Sequence, residues 1–467
     1  MNGEQSNNNE DFSISKVVLF EQMINNKMSV YLDTEDFEII IDYYLEVELF
    51  DKALLASKTG LEQYPNNLEL NLLSSEILSV LGKHKEAINS LENTLIKYPS
   101  DTEILFSLGK QYSIINEYSI ASKFFKAALS NSSENRNEML NDLIYEFQNM
   151  GDCNYAIVLM KELLYKDPNN DALLLEIGVA FNDVNRDKEA IDFFEDIIDK
   201  HPYCLLAWFN LGNLYNKNNN TEKGLFAFEI TNVIDESFTA AYYGMASIYI
   251  KEKNYTKAIE LFKETFKIDT PHSYAYCSLG ECYEKIEEFD KAILYYEKSI
   301  ELDSCQSDAW IGIGVVNELQ GDFLNAKKYM KKALKLEVDN SEYWHIYAEL
   351  LVKLNLTKDA IDAFKSAIKF DKNNIDAWID LTTYLYKNEL FKDVEYFMSL
   401  SKKEKIENID LDIINIASLI SSNKITKAEK SLTKLLSKNK NLYTKFIEFY
   451  PNALDNKDFV NIIAKYK

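Results

Sequence analysis

Small and bulky apolar residues follow one another along this chain in a register that repeats every 34 positions. Ala53, Ala87, Ala121, Ala156, Ala190, Gly224, Ala258, Ala292, Ala326, Ala360, Val394 and Ala428 form one column, with a single step of 35 between Ala121 and Ala156. Four residues after each small position a bulky side chain recurs, as at Leu91, Phe125, Met160, Phe194, Phe262, Tyr296 and Phe364. Three further on, Ala returns at Ala128, Ala333 and Ala367. Steps of four and three lie on one helix face, so each period contains a helix with a small–large–small stripe.

A second column stands 16 residues earlier: Leu174, Trp208, Tyr242, Tyr276, Trp310, Trp344 and Trp378. It contains all four Trp of the chain. Leu-Gly-like pairs follow at three and four residues (Ile177-Gly178, Leu211-Gly212, Leu279-Gly280, Ile313-Gly314), and Phe181, Tyr215, Tyr249 and Tyr283 follow at seven. This is one face of another helix. Its small residue predicts close approach by the second helix. Pro65, Pro99, Pro168 and Pro202 each stand twelve residues after the small column, where that second helix must stop. Asn/Asp segments such as Pro168-Asn169-Asn170 then cap the next helix. A fixed period of this length means stacked copies of one helical hairpin.

These residues resemble the tetratricopeptide repeat: Trp/Leu-x2-Leu-Gly-x2-Tyr, then Ala-x3-Phe-x2-Ala, then Pro. The best unit runs from Ser273 to Gln306 and carries Tyr276, Leu279, Gly280, Tyr283, Ala292 and Tyr296. The opening segment 31–46 also looks like the start of bacterial multi-repeat proteins of undefined role. The resemblance implies an all-α, right-handed superhelical α-solenoid of 11–12 helix-turn-helix units. The second unit departs most, with Asn71, Ser74 and Ser75 at the Trp, Leu and Gly places, and looser packing is expected there.

The organisation expected is a polar, disordered tail at 1–13, a capping helix within 14–33, the repeats over 34–442 and Lys-rich closing helices over 443–467. The capping helix should present Val17, Val18, Phe20, Met23 and Ile24 to the first repeat. Six Pro and 13 Gly leave no room for a flexible linker, so one continuous array is expected. The five cysteines form no C-x-x-C pair, which fits reduced thiols. No leader pattern and no apolar run near 18 residues is evident, and a cytoplasmic protein is expected.

A net charge of −24 disfavours general nucleic-acid binding by the body of the chain. Residues 401–467 hold 13 Lys against eight Asp/Glu, so the acidity lies in the first 400 residues. No H-E-x-x-H, Gly-rich phosphate loop or G-x-S-x-G is present. The four histidines fall in different repeats. The chain therefore reads as a non-enzyme with no cofactor, metal or small-molecule substrate.

The resemblance places a concave groove one and five residues after the Trp column. The candidate groove residues are Leu175, Val179, Phe209, Asn213, Tyr243, Ser247, Cys277, Glu281, Ile311, Val315, His345 and Glu349. Phe209 and Tyr243 stand outside the packed stripe and are expected to be removable without loss of fold. Family members that clamp a C-terminal carboxylate use a Lys–Asn pair here; no unit carries it, and Glu281 and Glu349 would repel a carboxylate. The Asn ladder of sugar-transferring relatives survives only as Asn210.

The function expected is a scaffold or adaptor that binds an extended peptide or helix, neutral to basic, in this groove. The alternative is a regulator that touches nucleic acid or an anionic surface through a basic stripe, Lys424, Lys427, Lys434 and Lys438, while the repeats bind a protein. That stripe also reads as a solvated outer face.

Overall fold

The computed structural model describes residues 14–25, 31–133, 135–455 and 457–465. Among them every regular element is a helix. Twelve hairpins run from Thr34–Glu46 paired with Phe50–Gln63 to Ile409–Ser421 paired with Ile425–Lys438. The expected tail at 1–13 lies outside the described residues, as do 26–30 of the expected capping segment.

The chain divides into two compact units, Met1–Asp235 and Glu236–Lys467, each with six of the hairpins. A single array was expected. The period gives no sign of the division, because Gly224 and Ala258 keep the ordinary spacing across it. Within each unit, every hairpin packs its second helix on the first helix of the next.

The repeating columns are the core. All twelve positions of the small column are buried. The bulky column is buried with them: Phe125, Phe194 and Phe228 are fully enclosed and Tyr296 is 2 % exposed. Burying each such side chain contributes about 1.5–3 kcal/mol. A Cβ on Gly109 would stand 2.4 Å from the Phe125 ring, on Gly212 2.5 Å from Phe228, and on Gly280 2.8 Å from Tyr296. The first helix therefore gives up its side chain where the second inserts its largest one.

The Trp column behaves differently. Trp378 is fully buried, but Trp208, Trp310 and Trp344 are only half-buried. Each indole N–H donates to the carbonyl six residues earlier: Trp208 to Pro202 (2.8 Å), Trp310 to Ser304 (3.0 Å), Trp344 to Val338 (2.7 Å) and Trp378 to Lys372 (3.0 Å). These indoles tie the loop between repeats to the following helix.

Turns within hairpins carry a further period. Residues 48, 82, 116, 151, 185, 219, 253, 287, 321, 355, 389 and 423 all have positive φ, in the same 34-residue register. Gly or Asn, which tolerate that conformation best, fill eight of the twelve. Asn67, Asn170 and Asn374 accept from the backbone N–H three residues on, as caps.

At the start, the helix over 14–25 buries Val17, Phe20 and Met23, while Val18 and Ile24 face solvent. The buried set recurs every third residue, so only one narrow stripe of this helix meets the first repeat. The chain closes with Leu442–Phe449, a 3-10 turn at Pro451–Asp455 and Lys457–Ala464, which bury Phe446, Phe459 and Ile463.

Candidate interaction surfaces

The first helix of each repeat carries the groove positions expected from the sequence, and burial sorts them. In the first unit, Leu175 and Val179 are exposed, at 47 % and 62 %. They lie four apart and form an open apolar pair on Asp171–Asp183. Asn213 is exposed, and Phe209 is half-buried with its ring 5.9 Å from that of Phe228.

In the second unit Tyr243 and Ser247 are half-buried, and Tyr243 packs at 5.9 Å on Phe262 and at 5.2 Å on His272. Phe209 and Tyr243 thus lean on the bulky column. The expectation that they stand clear of the packing is corrected: each ring rests on the large residue of its own hairpin, which packs beside a small residue of the first helix, Gly212 or Ala246. Cys277 and Ile311 are both 7 % exposed and present almost no surface. Val315 and His345 are half-buried, and Glu281 and Glu349 are exposed. Asn210 is buried, and its Nδ2 donates to the carbonyls of Leu174 (3.0 Å) and Leu206 (2.9 Å), holding two repeats together.

A second column on the same helices escaped the sequence reading. The second helical residue is Glu35, Glu69 and Glu103 in the first three repeats and Asp308, Glu342, Asp376 and Asp410 in the last four of the twelve, and in the fourth repeat the same register falls on Glu138, the third helical residue. Between them the column is Ala172, Leu206, Ala240 and Tyr274. The signal is in the register, but a carboxylate in a first helical turn is also an ordinary partner of the helix dipole, so single members do not stand out.

The column stands close to further carboxylates. In the first unit, desolvation, then Asp101 and Glu69, hold the Glu103 carboxyl above its usual range. Desolvation, then Glu69, Glu35, Asp42 and Asp33, do the same to Glu38. In the second unit, Glu281 is raised by desolvation and by Glu284, Asp308 and Glu342, with Lys285 opposing. Among the described residues Glu281, Glu342 and Asp376 make no ion pair, while the nearby lysines are engaged: Lys285 with Glu284 (2.9 Å) and Lys353 with Glu318 (2.5 Å).

The first unit also holds a cleft of about 790 Å³, lined by Leu68–Val80, Thr102–Ile114, the start of Arg136–Asn149 and the loop before it. Leu72, Phe106 and Ile114 supply apolar surface, and Glu69, Glu76, Glu103, Glu138 and Asp142 surround it against Lys110. Both irregularities of the repeat border this cleft. Ser75, at the Gly place of the second repeat, lines it, and so do Asn131–Ser133 and Asn135 at the 35-residue step. Ser74 and Ser75 are nonetheless buried, and Ser75 Oγ donates to the Leu72 carbonyl at 2.7 Å.

The basic stripe is partly spent at home. Lys424 pairs with Glu395 at 2.5 Å, Lys427 with Glu395 at 3.7 Å and Lys438 with Glu407 at 4.0 Å. Lys434 makes no ion pair among the described residues.

Stacked hairpins with a small column, a facing glycine and a 34-residue register define a class, the helical-repeat scaffolds. Within it the repeats are tetratricopeptide repeats: models of that repeat match residues 237–304 and 307–340, and the chain is a tetratricopeptide-repeat protein. No curated protein matches it in sequence.

Solved structures similar to it include a tetratricopeptide repeat protein from Parabacteroides merdae (18 % identity, 53 % of this chain and 98 % of that one, TM-score 0.44). Another is the Cut9–Hcn1 hetero-tetramer of the APC/C (14 %, 91 % and 99 %, 0.42). A third is YrrB, a repeat protein with an unusual peptide-binding site (18 %, 39 % and 95 %, 0.32). Arrays of this class serve as protein-interaction scaffolds. No described helix is long and apolar enough to cross a membrane.

Proposed function

We propose that the chain is a non-enzymatic scaffold whose first-helix faces receive a basic segment, helical or extended, of a partner protein. The observation that carries this reading is the unneutralised carboxylate run in each unit: Glu38, Glu69 and Glu103 in the first, Glu281, Glu342 and Asp376 in the second. Glu38, Glu103 and Glu281, held above the usual carboxylate range by desolvation first and by neighbouring carboxylates second, gain from an added cation that stabilises the charged form. The half-buried Phe106 and Leu72 of the cleft, and Val315 on the second unit, offer apolar contact between the charges. Such a mixture gives anchoring by burial and register by charge.

The test uses the full chain as bait in native lysate treated with nuclease, beside a Glu281→Lys/Glu342→Lys bait. The reading expects partners whose mapped contact segments are rich in Lys or Arg and which the charge-reversed bait no longer retains. Retention of the same partners by both baits contradicts it.

A further inference from the structure

We propose that His345, Glu349 and Asp380 form a binding site for a divalent transition-metal ion of the zinc type, joining two neighbouring repeats of the second unit. One ligand-capable atom from each of the three lies within 4.8 Å of the others. His345 Nε2 is 2.8 Å from Asp380 Oδ2. His345 and Glu349 are four apart on Ser341–Lys353 and share one face of it. Asp380 comes from Ile375–Lys387, the first helix of the next repeat.

The backbone beneath the three groups is fixed by the core. Ala348, Trp378 and Leu381 are fully buried next to Glu349 and Asp380 in sequence. The ligand positions are therefore set by packing and need no ion to assemble. Ligand atoms of a tetrahedral zinc site stand about 3.4 Å apart, given bonds of about 2.1 Å. Reaching that spacing opens the 2.8 Å His345–Asp380 hydrogen bond, so that the imidazole nitrogen and the carboxylate face the ion instead of each other, and draws in the remaining ligand atom from within 4.8 Å.

The donor set points to the ion. One imidazole with two carboxylates suits zinc and its neighbours, whereas magnesium and calcium prefer oxygen alone. Two carboxylates and a neutral imidazole carry the charge that balances a dication. Three protein ligands also leave a fourth position open.

The repeat supplies an internal control. The places of His345, Glu349 and Asp380 are filled by Ile311, Val315 and Ile346 one repeat earlier, and by Cys277, Glu281 and Gly312 before that. Only this repeat pair brings three such ligands to one point among the described residues. The site does not depend on the basic-partner reading, since an ion can bind whether or not a peptide does.

The test is calorimetric titration of the metal-stripped full chain with zinc chloride, followed by thermal melting at saturating zinc. The expected result is one saturable site, a raised Tm, and no displacement by millimolar magnesium or calcium. Glu349→Gln and Asp380→Asn should each lose most of the affinity while folding normally, and Glu281→Gln should not. No saturable binding, equal binding by the two variants, or competition by calcium overturns the proposal. So does loss of binding in Cys153→Ser/Cys305→Ser, the two cysteines that are not buried, which would place the ion on the thiols.

Discussion

The second repeat of the first unit and the repeats around Gly280 and Gly314 in the second unit solve one packing problem in different ways. At Gly280 and Gly314 the first helix has no side chain, and Tyr296 or Met330 fills the space. In the second repeat Ser75 stands at that place with its Oγ bonded to the Leu72 carbonyl, and the bulky-column residue of that hairpin is the smaller Leu91. The regular repeats leave an even face whose character comes only from the side chains at its free positions. The irregular repeat changes the surface itself and borders the cleft beside Phe106 and Lys110. Deviations from the pattern thus locate shape, and the pattern's free columns locate charge.

The comparison breaks most readily at the small column. Ala292→Leu forces three extra carbons between the helices of its hairpin and is expected to cost about 1–3 kcal/mol. Gly280→Ser should cost a similar amount, because the new Cβ meets the Tyr296 ring at 2.8 Å. The reverse exchange, Ser75→Gly, should cost less, about 0.5–1 kcal/mol of helix propensity. Chemical denaturation ranks all three, and equal effects of Gly280→Ser and Ser75→Gly would remove the distinction between regular and irregular repeats.

Phe209→Ala should destabilise by about 1–3 kcal/mol, less than a fully buried Phe, since its half-buried ring rests on Phe228. A melting curve identical to wild type would show that this ring is surface alone.

Smaller still is the effect of charge on the acidic face. Glu281 has a carboxyl raised above its ordinary value by desolvation and by Glu284, Asp308 and Glu342, with Lys285 opposing. The folded chain therefore holds this proton more tightly than the unfolded chain. Its ionised form destabilises above the raised value, and that penalty fades as pH falls through the raised value toward 4.5. Glu281→Gln should leave Tm unchanged or higher at neutral pH and should flatten the gain seen on mild acidification. A lower Tm at neutral pH would mean that the carboxylate is held by a partner group instead.

The smallest effect belongs to the basic stripe. Lys434→Glu, on a solvated outer face, should shift stability by less than about 0.5 kcal/mol. A clear loss of binding to anionic vesicles or nucleic acid in that variant would revive a role for the stripe.

The helical hairpins were legible because two apolar columns and the turn prolines all keep one register. Even the facing of Gly109, Gly212 and Gly280 on the next helix's large residue followed from that spacing. The cleft was not legible. Its position depends on how Ser75 and the extra residue near Asn131–Asn135 alter local packing, which no column records. The acidic column was present in the register in the first four and the last four repeats, yet each member alone looks like a helix-start carboxylate. The meeting of His345 with Asp380 crosses between repeats, 35 residues apart, and becomes visible only when the helices are placed. Burial of Cys277 and Ile311 shows the same limit: the groove positions share a spacing, but each neighbouring side chain decides how much surface they keep.

The most direct test of the central claim is a fluorescence-anisotropy titration of the full chain with a labelled Lys-rich amphipathic peptide and its Glu-rich counterpart over a range of salt. The account predicts binding of the basic peptide only, weakening as salt rises and strongly reduced in Glu281→Lys/Glu342→Lys. Equal binding of the acidic peptide, or binding indifferent to both salt and the charge reversal, would contradict it.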